Sequence, residues 1–297
     1  MRIVFFGTPS IAVRCLEKLQ ESGKNIVAVV TVTDKEQGRG KKILPSPVKE
    51  FALQNSIPVL QPESLKSEKF FSDLRALNAD LFIVVAFKIL PRSIFSMPKY
   101  GSFNLHGSLL PKYRGAAPIQ WAIINGDEVT GLTTFALADK VDTGNIYLMK
   151  SVAIEPEDNF GSLYEKMSAT GAEMVLETVE MIESGNYTLL PQNDELATPA
   201  PKITKETCQI DFNNSAINIH NLVRGLSPSP GAFFIHEGKH FKVYRTLPAE
   251  MTLSPGQFTT TKRQILVGTG QGALEILEIQ PEGKKRMKAD EFLRGYK

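Results

Sequence analysis

The stretch Arg2-Ile3-Val4-Phe5-Phe6-Gly7-Thr8-Pro9-Ser10 decides the fold, because it contains a short apolar run that stops at a glycine. A run of this kind, bounded by turn residues, predicts a buried strand. Ser10 can cap the helix that follows, and residues 26–32 predict a second buried strand. The chain therefore begins with a β-α-β unit, which indicates an α/β fold with a doubly wound sheet. Gly7-Thr8-Pro9 does not match the G-x-G-x-x-G pattern, so no dinucleotide is inferred.

The length and composition are those of a soluble globular protein. The chain has 297 residues, of which 42% are hydrophobic and 22% are charged, enough for one large or two ordinary domains. No run is long and apolar enough to span a bilayer, so no membrane contact is expected. The two cysteines, Cys15 and Cys208, are far apart in sequence and form neither a disulfide framework nor a zinc pattern. We therefore expect a cytoplasmic protein without a metal ion, and nothing demands more than a monomer.

A second stretch, Asn104-Leu105-His106-Gly107-Ser108-Leu109-Leu110-Pro111, combines chemically active side chains with a strand end. The carboxyl edge of an open α/β sheet is where ligands bind. Asn104 and His106 are two residues apart, so on a strand both side chains lie on one face. An amide donor beside an imidazole can bind a developing oxyanion and manage a proton at one carbonyl. Taken alone, however, a histidine at a strand end is more often a satisfied polar residue than a catalytic one.

The rest of the first part of the chain continues the alternation of strands and helices. A polar loop at 33–42 holds Arg39 between two glycines, with Lys41 and Lys42 next to it. The loop 87–91 can line a flat pocket for an aromatic ligand or merely cover the core. The tight loop 139–144 holds the carboxylates Asp139 and Asp142. Further strands are predicted at 59–60, 81–86, 130–137 and 145–154, and helices at 48–54, 63–77, 118–124 and 160–183.

The character of the sequence changes near residue 190. Prolines interrupt the segment that follows and no clean periodicity remains, which indicates a linker. Beyond it, a helix at 217–226 precedes short, turn-punctuated segments that are typical of a small β-barrel. We therefore predict a first domain at 1–189, a linker at 190–206 and a barrel domain at 207–297. The barrel segments are predicted at 232–235, 241–244, 264–267 and 274–279.

Charge is distributed unevenly between the two parts. Residues 202–297 hold 14 Lys and Arg against 9 Asp and Glu, although the whole chain has a net charge of only +2. Together with the mobile-looking loop at Arg39 and the cluster Lys284-Lys285-Arg286-Met287-Lys288, this balance is compatible with a polyanionic partner. An ordinary fluctuation of surface charge explains the same numbers equally well.

Read together, the motifs resemble the methionyl-tRNA formyltransferase family, within the folate-dependent formyltransferases, over nearly the whole chain. The Asn-x-His-Gly-Ser-Leu-Leu-Pro motif is common to the wider superfamily, whereas the Arg39 loop and the 114–119 stretch are similar to the tRNA enzymes. One loop, 86–91, is shorter than usual in that family and resembles the glycinamide ribonucleotide enzymes. The matching stretches are Gly7–Ser10, Gly38–Lys42, Pro45–Lys49, Asn104–Pro111, Arg114–Gln120, Asp142–Gly144, Gln280-Pro281 and Gly283–Lys285.

The resemblance implies a Rossmann-like formyltransferase catalytic domain followed by an OB-like, tRNA-binding barrel. It implies 10-formyltetrahydrofolate as formyl donor, no metal, and the α-amine of methionine on initiator methionyl-tRNA as acceptor, for translation initiation. The residues that match the family's functional positions are Asn104, His106 and Asp142 for catalysis, Ser108, Leu109, Leu110 and Pro111 for folate binding, and Arg39, Lys41, Lys42, Lys284 and Lys285 for tRNA binding.

Three other interpretations stay open at this stage. A sugar-nucleotide formyltransferase would use the same donor and chemistry but would not need the basic loop at Arg39. A non-catalytic RNA-binding protein would keep the basic clusters without any need for Asn104, His106 and Asp142 to converge. A hydrolase that releases formate from the folate would use water in place of the amine.

Overall fold

The structure is a computed structural model that describes residues 1–37 and 42–295, with side chains described for all of these except residues 36, 37 and 42. The chain packs into two compact units that alternate along the sequence. The first unit comprises Met1–Gly115, Gly131–Val152 and Glu165–Pro199. The second unit comprises Ala116–Thr130, Ala153–Tyr164 and Ala200–Lys297.

The elements follow one another in the order of their numbers. The strands are β1 Arg2–Gly7, β2 Asn25–Val30, β3 Lys35–Gln37, β4 Lys42–Leu44, β5 Val59–Leu60, β6 Leu81–Val85, β7 Ser102–His106, β8 Arg114–Gly115, β9 Val129–Ala136, β10 Ile146–Ala153, β11 Pro199–Ala200, β12 Ala232–His236, β13 Lys239–Ala249, β14 Phe258–Thr260, β15 Ile265–Gly268, β16 Ala273–Pro281 and β17 Met287–Lys288. The helices are α1 Ser10–Glu21, α2 Pro47–Gln54, α3 Glu68–Ala76, α4 Arg92–Phe95, α5 Pro118–Ile124, α6 Phe160–Ser184, α7 Ala216–Leu226 and α8 Ala289–Gly295, with a 3-10 helix at Asp194–Leu196.

The first unit is built on a seven-stranded sheet of order β10-β9-β7-β6-β1-β2-β5. The pairs β1–β2, β1–β6, β2–β5 and β6–β7 are parallel, whereas β7 and β9 are antiparallel. The chain winds outward from β1 in one direction through β2 and then in the other through β6, so the sheet is doubly wound. The predicted Rossmann-like fold of this part is confirmed. Such a sheet binds ligands beyond the carboxyl ends of its strands, near the reversal.

Both faces of this sheet are covered, which explains why β6 is apolar at every position and β1 has no polar residue after Arg2. Val4 and Phe6 of β1 pack with Phe70 and Leu74 of α3, and all four side chains are buried. On the other face, α1 lies beside α6, as the ion pair between Lys18 Nζ and Glu173 Oε1 at 2.6 Å indicates. A strand enclosed by helices on both sides reads as a continuous hydrophobic run.

Two predicted segments differ from the structure. The helix predicted at 63–77 begins only at Glu68, because Ser67 Oγ accepts a hydrogen bond from Phe70 N at 3.1 Å and so caps the first turn. The segment predicted as a polar loop at 33–42 contains strand β3 and the start of β4, paired antiparallel. Arg39 and Lys41 lie outside the described residues, and of Lys42 only the backbone is described.

The second unit holds an antiparallel sheet of order β12-β13-β16-β15-β14, with β17 added beside β16. The sheet is curled, since Phe234 of β12 and Phe258 of β14 stand at opposite ends of that order, yet their ring centroids are 5.2 Å apart. The predicted OB-like, barrel-forming second part is confirmed as a fold class. The sequence did not predict β14, β17 or α8, since these elements are short and half exposed.

Helix α7 covers the core of the second unit and packs against α5. Gly225 permits this approach, because a Cβ atom there would lie 2.6 Å from Ile124 Cγ1 and 3.0 Å from Gln120 O. Arg224 donates to the backbone oxygen of Asp158 at 2.9 Å and to the side-chain oxygen of Asn221 at 2.8 Å. Residues from 116–130 and 153–164 therefore complete the second unit. Within the described part of the chain, no helix has the length and apolar character needed to cross a membrane.

Candidate active site

Strand β7 carries two polar side chains to the carboxyl edge of the sheet. Asn104 and His106 project from the same face of the strand, as their spacing predicts. Asn104 is paired with Phe135 of the neighbouring β9, and His106 with Thr133. Among the described residues, the Asn104 amide has no hydrogen-bond partner, so its donor and acceptor are available to a ligand.

The His106 ring is buried and held by one firm hydrogen bond. Its exposed fraction is 6%, and its Nε2 lies 2.8 Å from the backbone oxygen of Tyr113. Because a carbonyl oxygen can only accept, Nε2 carries the hydrogen. The other ring nitrogen, Nδ1, lies 3.7 Å from Oδ2 of Asp142. Nδ1 is therefore the nitrogen left to exchange a proton.

Asp142 reaches the histidine from the loop between β9 and β10. Its backbone is left-handed, with φ at 57°, a conformation that is uncommon for a residue with a side chain. The Gly115 N–H donates to Oδ2 of Asp142 at 2.9 Å. Two residues on, a Cβ atom on Gly144 would lie 1.6 Å from the Ala136 oxygen, so only glycine allows the loop to lie this close to β9. The structure thus places Asp142 beside His106, and the catalytic role of Asn104, His106 and Asp142 stays a prediction.

A cleft opens beside these side chains within the first unit. Its cavity volume is about 90 Å³. Asn104 and Asp142 both line it, and the Phe87–Leu90 part of the 87–91 loop contributes an apolar wall, so this loop does line a pocket. The other lining residues are Val84, Phe95, Phe135, Leu137, Ala138, Asp139, Lys140 and Val141. An apolar wall with a few convergent polar groups is typical of a small-molecule site, and a cavity of this volume admits only part of such a ligand.

The stretch Ser108–Pro111, predicted to bind folate, does not line this cleft. Ser108 is fully buried, and its hydroxyl donates to the backbone oxygen of Lys112. Thr133 Oγ1 accepts from Leu110 N at 3.1 Å and donates to Ser108 O at 2.7 Å. These bonds fix the turn that follows His106. A folate-binding role for Ser108, Leu109, Leu110 and Pro111 stays a prediction.

The predicted tRNA-binding lysines that the structure describes lie in the second unit. Lys284 and Lys285 are both exposed in the turn between β16 and β17. The adjacent Arg286 forms an ion pair with Glu278 and stacks over the Tyr244 ring at 4.5 Å. Lys284 and Lys285 are thus the cations of this turn that are free to meet a phosphate.

Several residues that support the site carried no signal in the sequence. Thr198 Oγ1 accepts from Tyr113 N at 2.9 Å, and Gln192 Nε2 donates to the backbone oxygen of Asp142 at 2.9 Å. These contacts join positions 50 and 85 residues apart, and an isolated Gln or Thr belongs to no motif. In the ranges 1–37 and 42–295, no group of three or more His, Cys, Asp or Glu side chains is arranged to hold a metal ion.

Comparisons with known proteins define the class. The family model described as "Formyl transferase" matches residues 1–179, and "Formyl transferase, C-terminal domain" matches residues 202–297. The chain belongs to the formyl transferase family. It is 47% identical to the methionyl-tRNA formyltransferase of Thermodesulfovibrio yellowstonii over 99% of this chain and 96% of the relative. It is 46% identical to the methionyl-tRNA formyltransferase of Bacteroides fragilis over 100% of this chain and 95% of the relative.

Solved structures share the fold at lower sequence identity. HypX from Aquifex aeolicus, in complex with tetrahydrofolic acid, matches with a TM-score of 0.69 and 19% identity over 99% of this chain. This chain spans about half of HypX, covering 47% of it. WlaRD, a sugar 3N-formyl transferase, matches with a TM-score of 0.70 and 20% identity over 96% of this chain and 99% of its own. At these identities the likeness establishes the fold alone.

Proposed function

We propose that this protein transfers the formyl group of 10-formyltetrahydrofolate to the α-amine of methionine on initiator methionyl-tRNA. The observation that carries the proposal is the full-length similarity, at 46–47% identity, to enzymes named methionyl-tRNA formyltransferase. The convergence of Asn104, His106 and Asp142 at the edge of the sheet supports it, because formyl transfer needs an oxyanion donor and a proton acceptor at one carbon.

The chemistry requires one new bond and one broken bond. The neutral amine attacks the formyl carbon, the carbonyl electrons move to oxygen, and collapse of the tetrahedral intermediate breaks the bond to N10 of the folate. One proton leaves the amine and one returns to the folate nitrogen. An α-amine is appreciably neutral near pH 7–8, so no covalent enzyme intermediate is needed.

Each of the three side chains has a distinct part in this step. The free amide of Asn104 donates an N–H to the formyl oxygen as negative charge develops there. Because Nε2 of His106 is bound to the Tyr113 oxygen, the ring acts through Nδ1, as a donor to the oxyanion or as a carrier of the proton. Asp142 faces Nδ1 at 3.7 Å, where its carboxylate orients the ring and can pass a proton through water.

The folate occupies the cleft beside Asn104 in this proposal. The apolar segment Phe87–Leu90 offers a flat wall to the pterin ring, and Ile89 has an exposed fraction of 73%, so its side chain can contact a ligand. Ser108, Leu109, Leu110 and Pro111 form the turn beside the cleft, and in this proposal they contact the part of the folate that extends beyond it.

The tRNA is bound through phosphates. Arg39, Lys41 and Lys42 approach the acceptor stem, while Lys284 and Lys285 contact the tRNA from the second part of the chain. We place the catalytic domain at 1–189, the linker at 190–206 and the tRNA-binding barrel at 207–297, in a cytoplasmic monomer. These bounds divide the chain by proposed function, whereas the two compact units divide it by the packing of the residues.

The deciding experiment is formyl transfer from 10-formyltetrahydrofolate to charged initiator tRNA, with charged elongator methionine tRNA as control. Fast formylation of the initiator alone supports donor, acceptor and specificity together. If folate binds but neither tRNA is formylated, the proposed acceptor is wrong, and an amino sugar on a nucleotide is the next acceptor to test.

A further inference from the structure

The segment 190–199 forms hydrogen bonds with the loop that carries Asp142 and with the turn that follows His106. In the Asp142 loop, Nε2 of Gln192 donates to the backbone oxygen of Asp142 at 2.9 Å and to the backbone oxygen of Gly144 at 2.8 Å. On the side of His106, Thr198 Oγ1 accepts from the N–H of Tyr113, whose oxygen binds the imidazole. This segment therefore binds the backbone of Asp142 and the backbone of Tyr113, the residue that holds the His106 ring.

Arg114 binds the other polar atom of the Gln192 amide, the oxygen Oε1. The Gln192 Oε1 accepts from Arg114 Nε at 3.1 Å and from Nη2 at 2.6 Å. The next residue, Gly115, is the one whose N–H donates to the Asp142 carboxylate. Arg114, Gly115, Asp142 and Gln192 thus form a closed circuit of hydrogen bonds. Within it, Gln192 binds the backbone of Asp142 and Gly115 binds its side chain.

The circuit is specific and partly shielded from water. The Arg114 side chain is only 16% exposed, and its two parallel N–H groups reach one amide oxygen, which fixes the orientation of the amide. With Oε1 taken by Arg114, Nε2 must face the two carbonyl groups. The Arg114 guanidinium also reaches Asp194 at 2.7 Å, but that carboxylate is 74% exposed and is a weak anchor.

We infer that Gln192 is a positioning residue for the formyl-transfer step, which it serves by fixing the left-handed loop at Asp142. The inference rests on the proposed function, because it matters only if the Asp142 carboxylate acts with His106. A left-handed backbone is uncommon for a residue with a side chain, and bonds from outside the loop help to hold the carboxylate in place. Gln192 supplies two of them and touches no other part of the cleft.

Gln192→Glu tests this role with little change in size. The new carboxylate keeps its contact with Arg114 but replaces the N–H donors by an oxygen that faces two carbonyl oxygens. The formyl-transfer kcat is expected to fall by about tenfold to a hundredfold, as a small misplacement of catalytic groups does. The KM for folate and for tRNA should stay within about twofold, because binding contacts are untouched.

Matched variants separate positioning from general damage. Glu195→Gln changes an exposed side chain of the same segment and should leave kcat unchanged. Gln192→Met removes both donors without adding charge, and it should reproduce the loss of kcat if Gln192→Glu fails to fold. A Gln192→Met enzyme that folds and keeps the kcat of Glu195→Gln would overturn the inference.

A double-mutant cycle distinguishes this inference from the proposed function. Asp142→Asn alone should be slow, and adding Gln192→Glu to it should change kcat by less than about twofold, since both changes act on one group. If the loss of kcat in the double variant equals the product of the two single losses, the positioning role is overturned. Gln192 would then affect kcat independently of Asp142. If Asp142→Asn keeps full kcat, the proposed role of Asp142 fails instead.

Discussion

His106 donates the hydrogen on Nε2 to the backbone oxygen of Tyr113, over a distance of 2.8 Å. This bond fixes the tautomer of the ring and leaves Nδ1 facing Asp142. The ring is thus oriented by the main chain of the turn at residues 107–113, which is itself held by Thr198. The orientation of the His106 ring therefore depends on backbone hydrogen bonds as well as on the neighbouring side chains.

His106→Gln separates orientation from chemistry. A glutamine can still donate to the Tyr113 oxygen, so the fold should be retained, but it has no group that exchanges a proton as Nδ1 does. We expect kcat to fall by about a hundredfold or more with unchanged melting temperature, in keeping with the usual contribution of a general acid or base. Turnover equal to that of the unchanged protein would remove the imidazole from the mechanism.

Asn104→Ala removes the proposed oxyanion donor. Since the Asn104 amide has no partner among the described residues, its loss should not disturb the fold. An oxyanion-hole donor contributes roughly 3–4 kcal/mol to the transition state, so kcat should fall by about a hundredfold or more. Steady-state kinetics beside Asn186→Ala, an exposed asparagine outside the site, give the comparison. A loss confined to KM would mean that Asn104 binds the donor in the ground state only.

Gly144→Ala should disrupt the loop that carries Asp142. The added Cβ atom would lie 1.6 Å from the Ala136 oxygen, and neither backbone can yield without moving Asp142. Overpacking of this kind costs about 1–3 kcal/mol, and here the shift also displaces the proposed catalytic carboxylate. Urea unfolding and formyl-transfer rates should both report the change. Gly295→Ala is the control for added bulk, since nothing lies within 4 Å of its Cβ position and its backbone is not left-handed.

Protonation of His220 should weaken the second unit in mild acid. Burial, and then the charge of Arg224, lowers the pKa of His220 below its usual value. The unfolded chain therefore binds the proton first as pH falls below about 6.5, so stability is lost from there down to the lower folded pKa. Unfolding free energies measured from pH 7 to pH 5 should fall more steeply for the unchanged protein than for His220→Gln. Parallel curves would show that this histidine does not contribute.

Lys284 and Lys285 should contribute to tRNA affinity through phosphate neutralisation. Replacing both by alanine should lower the affinity and reduce the slope of log affinity against log salt by about 2, roughly one unit for each lost phosphate contact. Filter binding between low and physiological salt measures this slope. Lys66→Ala, an exposed lysine in the first unit, should leave it unchanged. An unaltered slope in the double variant would place the tRNA elsewhere.

The sequence predicted the centre of the site better than its support. Asn104 and His106 were found because a spacing of two on a strand places both on one face, and this relation is local. Gln192 and Thr198 were missed because their partners lie far away in sequence, in a segment whose prolines favoured a linker. Helix α3 began later than predicted because the Ser67 cap decides its start, whereas apolar spacing does not.

The alternation of the two compact units has a consequence for how this chain can be divided. Each unit comprises three segments, so the chain passes between them five times, and no single peptide bond separates one from the other. An exchange of modules with a relative would have to carry Ala116–Thr130 and Ala153–Tyr164 together with Ala200–Lys297. A chimera joined to a relative at a single point between α5 and α7 would take these two packed helices from different proteins. We expect the core of its second unit to be mismatched.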